Sequence, residues 1–541
     1  MKMAKTTSSK SIPRAKTPEE VGVSSKAVMD FIADAKEHSM EFHSFMVIRH
    51  GKVAAEWYNE PFTNDSKHIM YSASKSFTAT AIGFAISEGL LSLDTKLVDL
   101  FPEYVKKKDE KLEQITVFSL MTMTAGKQPS LFADKAKADW IETFFKAPWT
   151  FEPNTTFLYI NENIYMLAAI IKKVTGMGVI DYLMPRLFEP LGIERPFWET
   201  DPVHGIEAGG WGLYLSTEDF AKFILCYAQN GKWKNKQVIP KDWVKQATSK
   251  QVENAGTSET RDNQAGYGFC FWQNAALPNS YRADGMFSQF GIVAPDYDAV
   301  IITTSGISNE PDARECIWRH FPEGFIDESA EEKEEPKTVP IVNSNMDEVV
   351  ESYRSDLEND IEGRTIKFRK GIPQIVLNLI GFPVSVIPIH VTFMMSDRAG
   401  NIDHVKFHFE DKSCDMSWNE GPESNTVTCG MDGHYRYGQI RLGKIDFKVC
   451  CYAEWFDGTN LNVTIRPIET VGKRKLNFNF KSHTRVVMKP SSIPDTKDFA
   501  NYMKGFAGDL IKNPALLAIV KKVVFFLPYI VEPKQRGKFI D

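Results

Sequence analysis

Long uninterrupted apolar runs, paired cysteines and an excess of positive charge are all missing from this 541-residue chain. Each absence narrows what it does. Seven cysteines are few and odd in number, and none forms a C-x-x-C pair. That excludes a zinc ribbon and a thioredoxin-like motif. Cys226, Cys270 and Cys316 are scattered, and Cys414, Cys429, Cys450 and Cys451 lie late in the chain. They read as reduced, buried thiols and not as a disulfide framework. Lys and Arg number 64 against 70 Asp and Glu, a formal charge of −6. No basic field exists to hold a phosphate backbone, so no nucleic-acid partner is expected.

The two most apolar stretches are 372–391 and 516–531. Pro373, Pro383 and Pro388 break the first; Lys521, Lys522 and Pro528 break the second. Neither reaches the ~20 unbroken apolar residues of a span, so stable membrane insertion is not expected. Residues 1–17 are basic and rich in Ser and Thr but lack an apolar core. They read as a flexible tail and not a secretory signal, which makes the expected location cytoplasmic.

What is present is globular: 43% hydrophobic and 25% charged residues. An acidic run from Asp327 to Pro336 reads as a solvated linker. It predicts a first domain over 18–325, a linker over 326–340 and an accessory domain over 341–541. In the first, Phe42–Ile48 and Val53–Trp57 flank His50-Gly51 as a hairpin. Ser74–Leu90 and Asn163–Val174 carry helical periodicity, and Gln289–Ala294 with Asp298–Ser305 forms a second hairpin. Strands at both ends with helices between them predict an antiparallel sheet built from chain ends, flanked by helices, with a helical lobe. The fold class is therefore α+β. Beyond the linker the period changes to two: Val405, Phe407 and Phe409; Phe447, Val449 and Cys451; Leu461, Val463 and Ile465; Leu476, Phe478 and Phe480. This is a mainly β domain, a barrel or lipocalin-like, with helical texture from Asp498 to Leu527. Its Phe-rich alternation reads as core.

Several catalytic signatures are also missing. There is no G-x-S-x-G elbow, no phosphate-binding G-x-x-x-x-G-K-[ST], no G-x-G-x-x-G and no H-E-x-x-H. The eleven His are dispersed. His404 and His408 share a strand face but read as solvated, and neither a metal nor a cofactor is expected.

One S-x-x-K occurs, at Ser72 and Lys75. Residues three apart on a helix face the same way, so the amine reaches the hydroxyl. A Ser hydroxyl needs a base to become a nucleophile, and a neutral lysine can serve. A helix N-terminus at Ser72 also presents N–H groups where an oxyanion would form. A single S-x-x-K arises by chance about once or twice in a chain this long. Here it is joined by one Y-x-N, Tyr159-Ile160-Asn161, 87 residues further on. A phenol beside an ammonium is a second candidate base. The third piece is Tyr281-Arg282-Ala283-Asp284-Gly285-Met286, where a glycine on an edge strand lets a substrate approach closely.

These elements in this order resemble the serine β-lactamase and penicillin-binding-protein family, in its class-C-like and esterase branch. The resemblance spans about residues 18–320. It also draws on Thr17–Gly22, Gly89–Asp94, Leu120–Gly126, Pro190–Ile193, Gly209–Gly212, Ser216–Ala221 and Gly231–Trp233. It implies that Ser72 is the acylated nucleophile, that Lys75 and Tyr159 share the acid/base work, and that Asn161 positions substrate. It also implies an oxyanion hole made by the Ser72 and Met286 N–H groups. Asp284, Gly285 and Met286 then line the substrate.

One departure stands out. Where the family carries K-T-G or H-x-G, this chain has Ala283-Asp284-Gly285, so the basic residue is missing and a carboxylate stands beside it. Like charges repel, so anionic β-lactams and peptide C-termini are disfavoured and neutral esters or amides are expected. Arg282 would restore a positive charge if the strand register slipped by one. The expected function is a carboxylesterase or amidase acting on a small molecule. A D-amino-acid peptidase or true β-lactamase is the alternative, and a non-catalytic scaffold the further one. For the C-terminal domain, shaping of substrate access, lipid binding and homodimer formation all remain open.

Overall fold

Apolar β-formers at 42–60 and 289–305 pair with one another inside the first of two units, residues 1–344 and 345–541. The computed structural model describes residues 11–129, 138–256, 260–326, 342–345, 349–369, 385–388, 391, 401–442, 445–498, 500–501, 517–519, 521–522, 525–526 and 532–540. The expected acidic linker and most of the expected C-terminal helices lie outside these residues, as do residues 1–10.

The hairpin of β1 (Phe42–Arg49) and β2 (Lys52–Glu60) turns at His50 and Gly51, with φ of 50° and 73°. Positive φ at both central residues is the type I′ geometry that matches strand twist. The remaining strands of this sheet are β3 (Trp272–Gln273), β4 (Tyr281–Gly285), β5 (Gln289–Ala294), β6 (Ala299–Ser305) and β7 (Val342–Asn345). Their order is β7-β2-β1-β6-β5-β4-β3. β1 pairs antiparallel with both β2 and β6, Met46 lying opposite Ile302. The expected antiparallel sheet from chain ends is thus present. β6 begins at Ala299 and not at Asp298, because Asp298 closes the turn with a φ of 47°.

Helix α1 (Ser25–Glu37) buries Val28, Phe31, Ile32 and Ala35, one stripe at helical spacing. Phe31 meets Phe45 of β1 at 4.3 Å between ring centroids. The last helix of this unit, Glu310–His320, adds Ala313, Cys316 and Ile317 to the same core. Val28, Phe31, Ile32 and Ile317 each contribute about 1.5–3 kcal/mol through burial. On the other face of the sheet, Gly291 lies against Phe220 and Ile224 of the helix Thr217–Ala228.

Helix α2 (Ser74–Ser87) is buried all round from Ser74 to Ala85. It ends earlier than the expected Leu90, because Gly89 takes a φ of 72° and caps the carbonyl of Ile86. Its buried hydroxyls are each hydrogen-bonded, as interior polar groups must be. Ser76 Oγ donates to the Cys270 carbonyl at 2.7 Å, and Thr78 Oγ1 to the Gly209 carbonyl at 2.8 Å. Thr80 Oγ1 meets Tyr227 Oη at 2.7 Å. Phe77 stacks on Phe223 at 3.7 Å.

Among the described residues the second unit forms a ten-stranded barrel. Strands run in the order 423–430, 413–420, 402–409, 365–368, 535–539, 485–493, 473–482, 460–467, 445–457 and 436–442. The last strand is inserted between the first and the ninth. The two edges meet: Gly430 pairs with Tyr452, and the Asn425 side chain bonds both N–H and C=O of Arg441. Ten strands exceed the eight of a lipocalin, so the barrel alternative holds. The interior is filled by Phe407 against Phe478 and by Trp455 against Phe409 and Phe480. All seven cysteines are buried and unbridged.

Residues 11–17, expected as the end of a flexible tail, pack on the first unit. Ile12 and Ala15 are buried, and Arg14 pairs with Glu56 and Glu218 at 3.1 and 2.9 Å. Among the described residues no single helix is long and apolar enough to cross a membrane. Asn161–Thr175 with Val179–Leu191 qualifies by length and composition as a pair bent by 68°. Residues 163–171 of that pair are buried in this unit.

Asp34 ties the first helix of the sheet core to the last. It accepts from Arg319 Nε and Nη2 at 2.9 and 3.0 Å, and it meets His320 Nε2 at 2.8 Å. The Arg319 bonds, outweighing burial, hold its carboxyl well below the usual range. A depressed carboxyl contributes stability above its unfolded pKa and loses it as pH falls through the folded one. Asp34→Asn is therefore expected to cost about 1–2 kcal/mol at pH 7, discounted for the exposed arginine. The loss should shrink below about pH 4, where the unfolded carboxyl protonates; thermal denaturation against pH checks this.

Candidate active site

Ser72 sits in the tight turn Tyr71–Ala73 that feeds directly into α2. Met70 N–H donates to the Leu213 carbonyl at 2.8 Å, which pins the start of this turn. Tyr71 has a φ of 43°, a left-handed conformation that costs a bulky residue about 1–2 kcal/mol. Its buried ring packs on Phe287 at 5.5 Å, and that packing holds the turn. Ser72 remains partly exposed while its neighbours are buried.

Lys75, one helical turn on, is 1% exposed. Its Nζ lies 2.9 Å from Ser72 Oγ, 2.7 Å from Asn161 Oδ1 and 2.7 Å from the Gly210 carbonyl. As an ammonium it donates one N–H to each. As a neutral amine it keeps two donors for Asn161 and Gly210 and accepts the Ser72 proton on its lone pair. Both protonation states are satisfied without movement.

Tyr159 presents its ring to Lys75 Nζ at 4.8 Å. The ring is half-buried and packs on Trp272 at 5.3 Å and on Tyr267 at 6.2 Å. Asn161 opens the helix α3 (Asn161–Thr175), whose start is two residues earlier than expected.

The third element is β4. Gly285 approaches the Met70 carbonyl so closely that a Cβ there would lie 2.2 Å from it. This brings the end of β4, and Met286 after it, beside the Ser72 turn. Arg282 lies opposite Ile292 and Gly285 opposite Gln289, so the register carries no slip. Arg282 is fully buried and donates to Asp284 at 2.7 Å, Asn274 at 2.6 Å and Asn263 at 2.6 Å. Arg314 approaches Asp284 at 3.7 Å. The expected repulsion by Asp284 is corrected accordingly: its charge is taken up by two arginines. The expected rescue by Arg282 is corrected too, since its guanidinium is engaged in this pair. Ala283 is buried and offers no cation.

Three contributors were not singled out in the sequence. Gly210 supplies a carbonyl to Lys75; the glycine-rich Gly209–Gly212 was its signal. Trp272 backs Tyr159. Glu310, at the start of the helix Glu310–His320, accepts from Phe287 N–H at 3.1 Å. Burial, with Asp284 adding to it, pushes the Glu310 carboxyl up to about 8. Among the described residues no cluster of three His, Cys, Asp or Glu could hold a metal ion.

The chain is similar to known proteins. The family model described as Beta-lactamase matches residues 30–321, more than half of the chain. The chain belongs to the beta-lactamase family. Membership makes it a β-lactamase-related serine hydrolase. It is 23% identical over 335 residues to the 6-aminohexanoate-dimer hydrolase of Paenarthrobacter ureafaciens, covering 57% of this chain and 84% of that one. A beta-lactamase of Escherichia coli strain K12 is 26% identical over 186 residues, 30% of this chain and 48% of its own. The lovastatin esterase of Penicillium rubens is 27% identical over 161 residues, 25% and 40% of the two chains. The chain thus spans about half or less of these last two relatives. Solved structures that it resembles include the octameric penicillin-binding protein homologue from Pyrococcus abyssi, at a TM-score of 0.44 and 17% identity. That match covers 86% of this chain and 97% of the other.

Gly285→Ala would force β4 away from the Met70 carbonyl. The expected result is at least a ~10-fold drop in ester turnover with a stability loss of about 1–3 kcal/mol, read by kinetics and thermal denaturation.

Proposed function

We propose that this protein hydrolyses a neutral ester or amide through an acyl-enzyme on Ser72. The observation that carries this is Lys75 Nζ, buried between Ser72 Oγ, Asn161 Oδ1 and the Gly210 carbonyl. Ser72 Oγ attacks the acyl carbon, and Lys75 and Tyr159 take up its proton. The Ser72 and Met286 N–H groups receive the oxyanion. Collapse breaks the C–O or C–N bond, and the proton passes to the departing alkoxide or amine. Water then adds to the acyl carbon, gives a proton to the same base, and releases the acid and Ser72. Asn161 orients both Lys75 and the substrate carbonyl.

Substrate charge follows from β4. Ala283, which stands where the basic residue is expected, carries no charge, and Arg282 is already paired with Asp284. A carboxylate-bearing β-lactam or peptide C-terminus therefore lacks a partner there, whereas a neutral acyl group needs none. The relatives named lovastatin esterase and 6-aminohexanoate-dimer hydrolase support the same reading.

A fluorophosphonate probe tests it: Ser72 Oγ displaces fluoride from phosphorus and gains one adduct mass. The native protein is expected to acquire one adduct and Ser72→Ala none. Lys75→Ala should lower nitrophenyl-ester turnover about 10²–10⁴-fold. A folded native protein that stays unlabelled removes the reading, and faster turnover of nitrocefin than of nitrophenyl esters would favour the β-lactamase alternative.

A further inference from the structure

The second oxyanion donor, Met286 N–H, stands on a turn that the backbone does not favour. Phe287 and Ser288, the next two residues, take φ of 63° and 69°. Two consecutive non-glycine residues in the left-handed region cost about 1–3 kcal/mol each, so something outside the turn must hold it. Two side chains do. Gln289, fully buried and opposite Gly285, donates to the carbonyls of Met286, Phe287 and Ser305 at 3.1, 2.9 and 2.8 Å. Glu310 takes the Phe287 N–H from the other side at 3.1 Å. The Phe287 ring completes the link by packing on Tyr71, the residue before the nucleophile.

We propose that Glu310 is a positioning residue: by accepting the Phe287 N–H it fixes the turn that aims the Met286 N–H at the developing oxyanion. This rests on the assignment of Ser72 and the Met286 N–H above. It explains why a carboxyl stands next to a site of developing negative charge. Desolvation and the neighbouring Asp284 favour the neutral form of the Glu310 carboxyl, against Arg314 and Arg282, which also face it. A neutral carboxyl still offers its carbonyl oxygen to Phe287 and adds no repulsion.

The effect belongs to the transition state, since the donor matters only once the oxyanion forms. Glu310→Ala is therefore expected to lower kcat for a nitrophenyl ester, and the rate of fluorophosphonate labelling, about 10–100-fold. KM should stay within about 3-fold of native. Glu310→Gln keeps an acceptor oxygen and should recover most of that loss. If Glu310→Ala does not fold, Glu310→Gln decides alone. Its labelling should remain near native, and a drop as deep as that of Lys75→Ala overturns the proposal. Equal losses in the two variants would point to charge pairing and overturn it as well. Native labelling with an unimpaired Glu310→Ala overturns this inference while leaving the Ser72 reading intact; an unlabelled native protein removes both.

Discussion

A charged amine buried among carbon atoms is intolerable unless its donors are met, and Lys75 organises the first unit around that demand. Ser72, Asn161 and Gly210, which offer it oxygens, come from the α2 turn, the start of α3 and the Gly209–Gly212 loop, segments separated by up to 138 residues of chain. Bringing Lys75 inside means bringing those segments together. Thr78, one turn further along the same helix, fastens the glycine-rich loop through the Gly209 carbonyl. The groups proposed to act on substrate are therefore arranged by the same contacts that keep the interior satisfied.

The opposite wall rests on a different balance. Beneath β4 the charges of Arg282 and Arg314 are met by those of Asp284 and Asp262, and the turn after it is held in an unfavourable conformation by Gln289 and Glu310. Tyr71 and Phe287, both at positive φ, lean on each other across the gap. Strain on the two sides is thus mutually supported, which is how such conformations persist at a working site.

Much of this was legible in the residue order because it is local. Ser72 and Lys75 are one turn apart, the His50-Gly51 turn has its own signature, and the period-two stretches of the C-terminal unit became strands. What escaped depends on distant partners. The Arg282–Asp284 pair was within reach, since residues two apart share a strand face, but Arg314 and Asn274 arrive from elsewhere. Glu310 carries no motif at all; its importance comes from Phe287, 23 residues earlier, which only the packed helix places beside it. Residues 11–16 look like a tail by composition, yet Glu56 and Glu218 give Arg14 a reason to dock. Barrel closure was less visible, because the strand 423–430 must meet Tyr452 through Gly430 as well as its sequence neighbours, and no local pattern announces that pairing.

The hydroxyls along α2 have a mechanical meaning. A helix sheathed in aliphatic side chains is held in place by shape alone, whereas hydrogen bonds add a preference of direction. Ser76, Thr78 and Thr80 instead lock onto Cys270, Gly209 and Tyr227 around its girth, like splines on a shaft. Such a shaft seats in a single angular setting. The serine at its tip inherits that indexing.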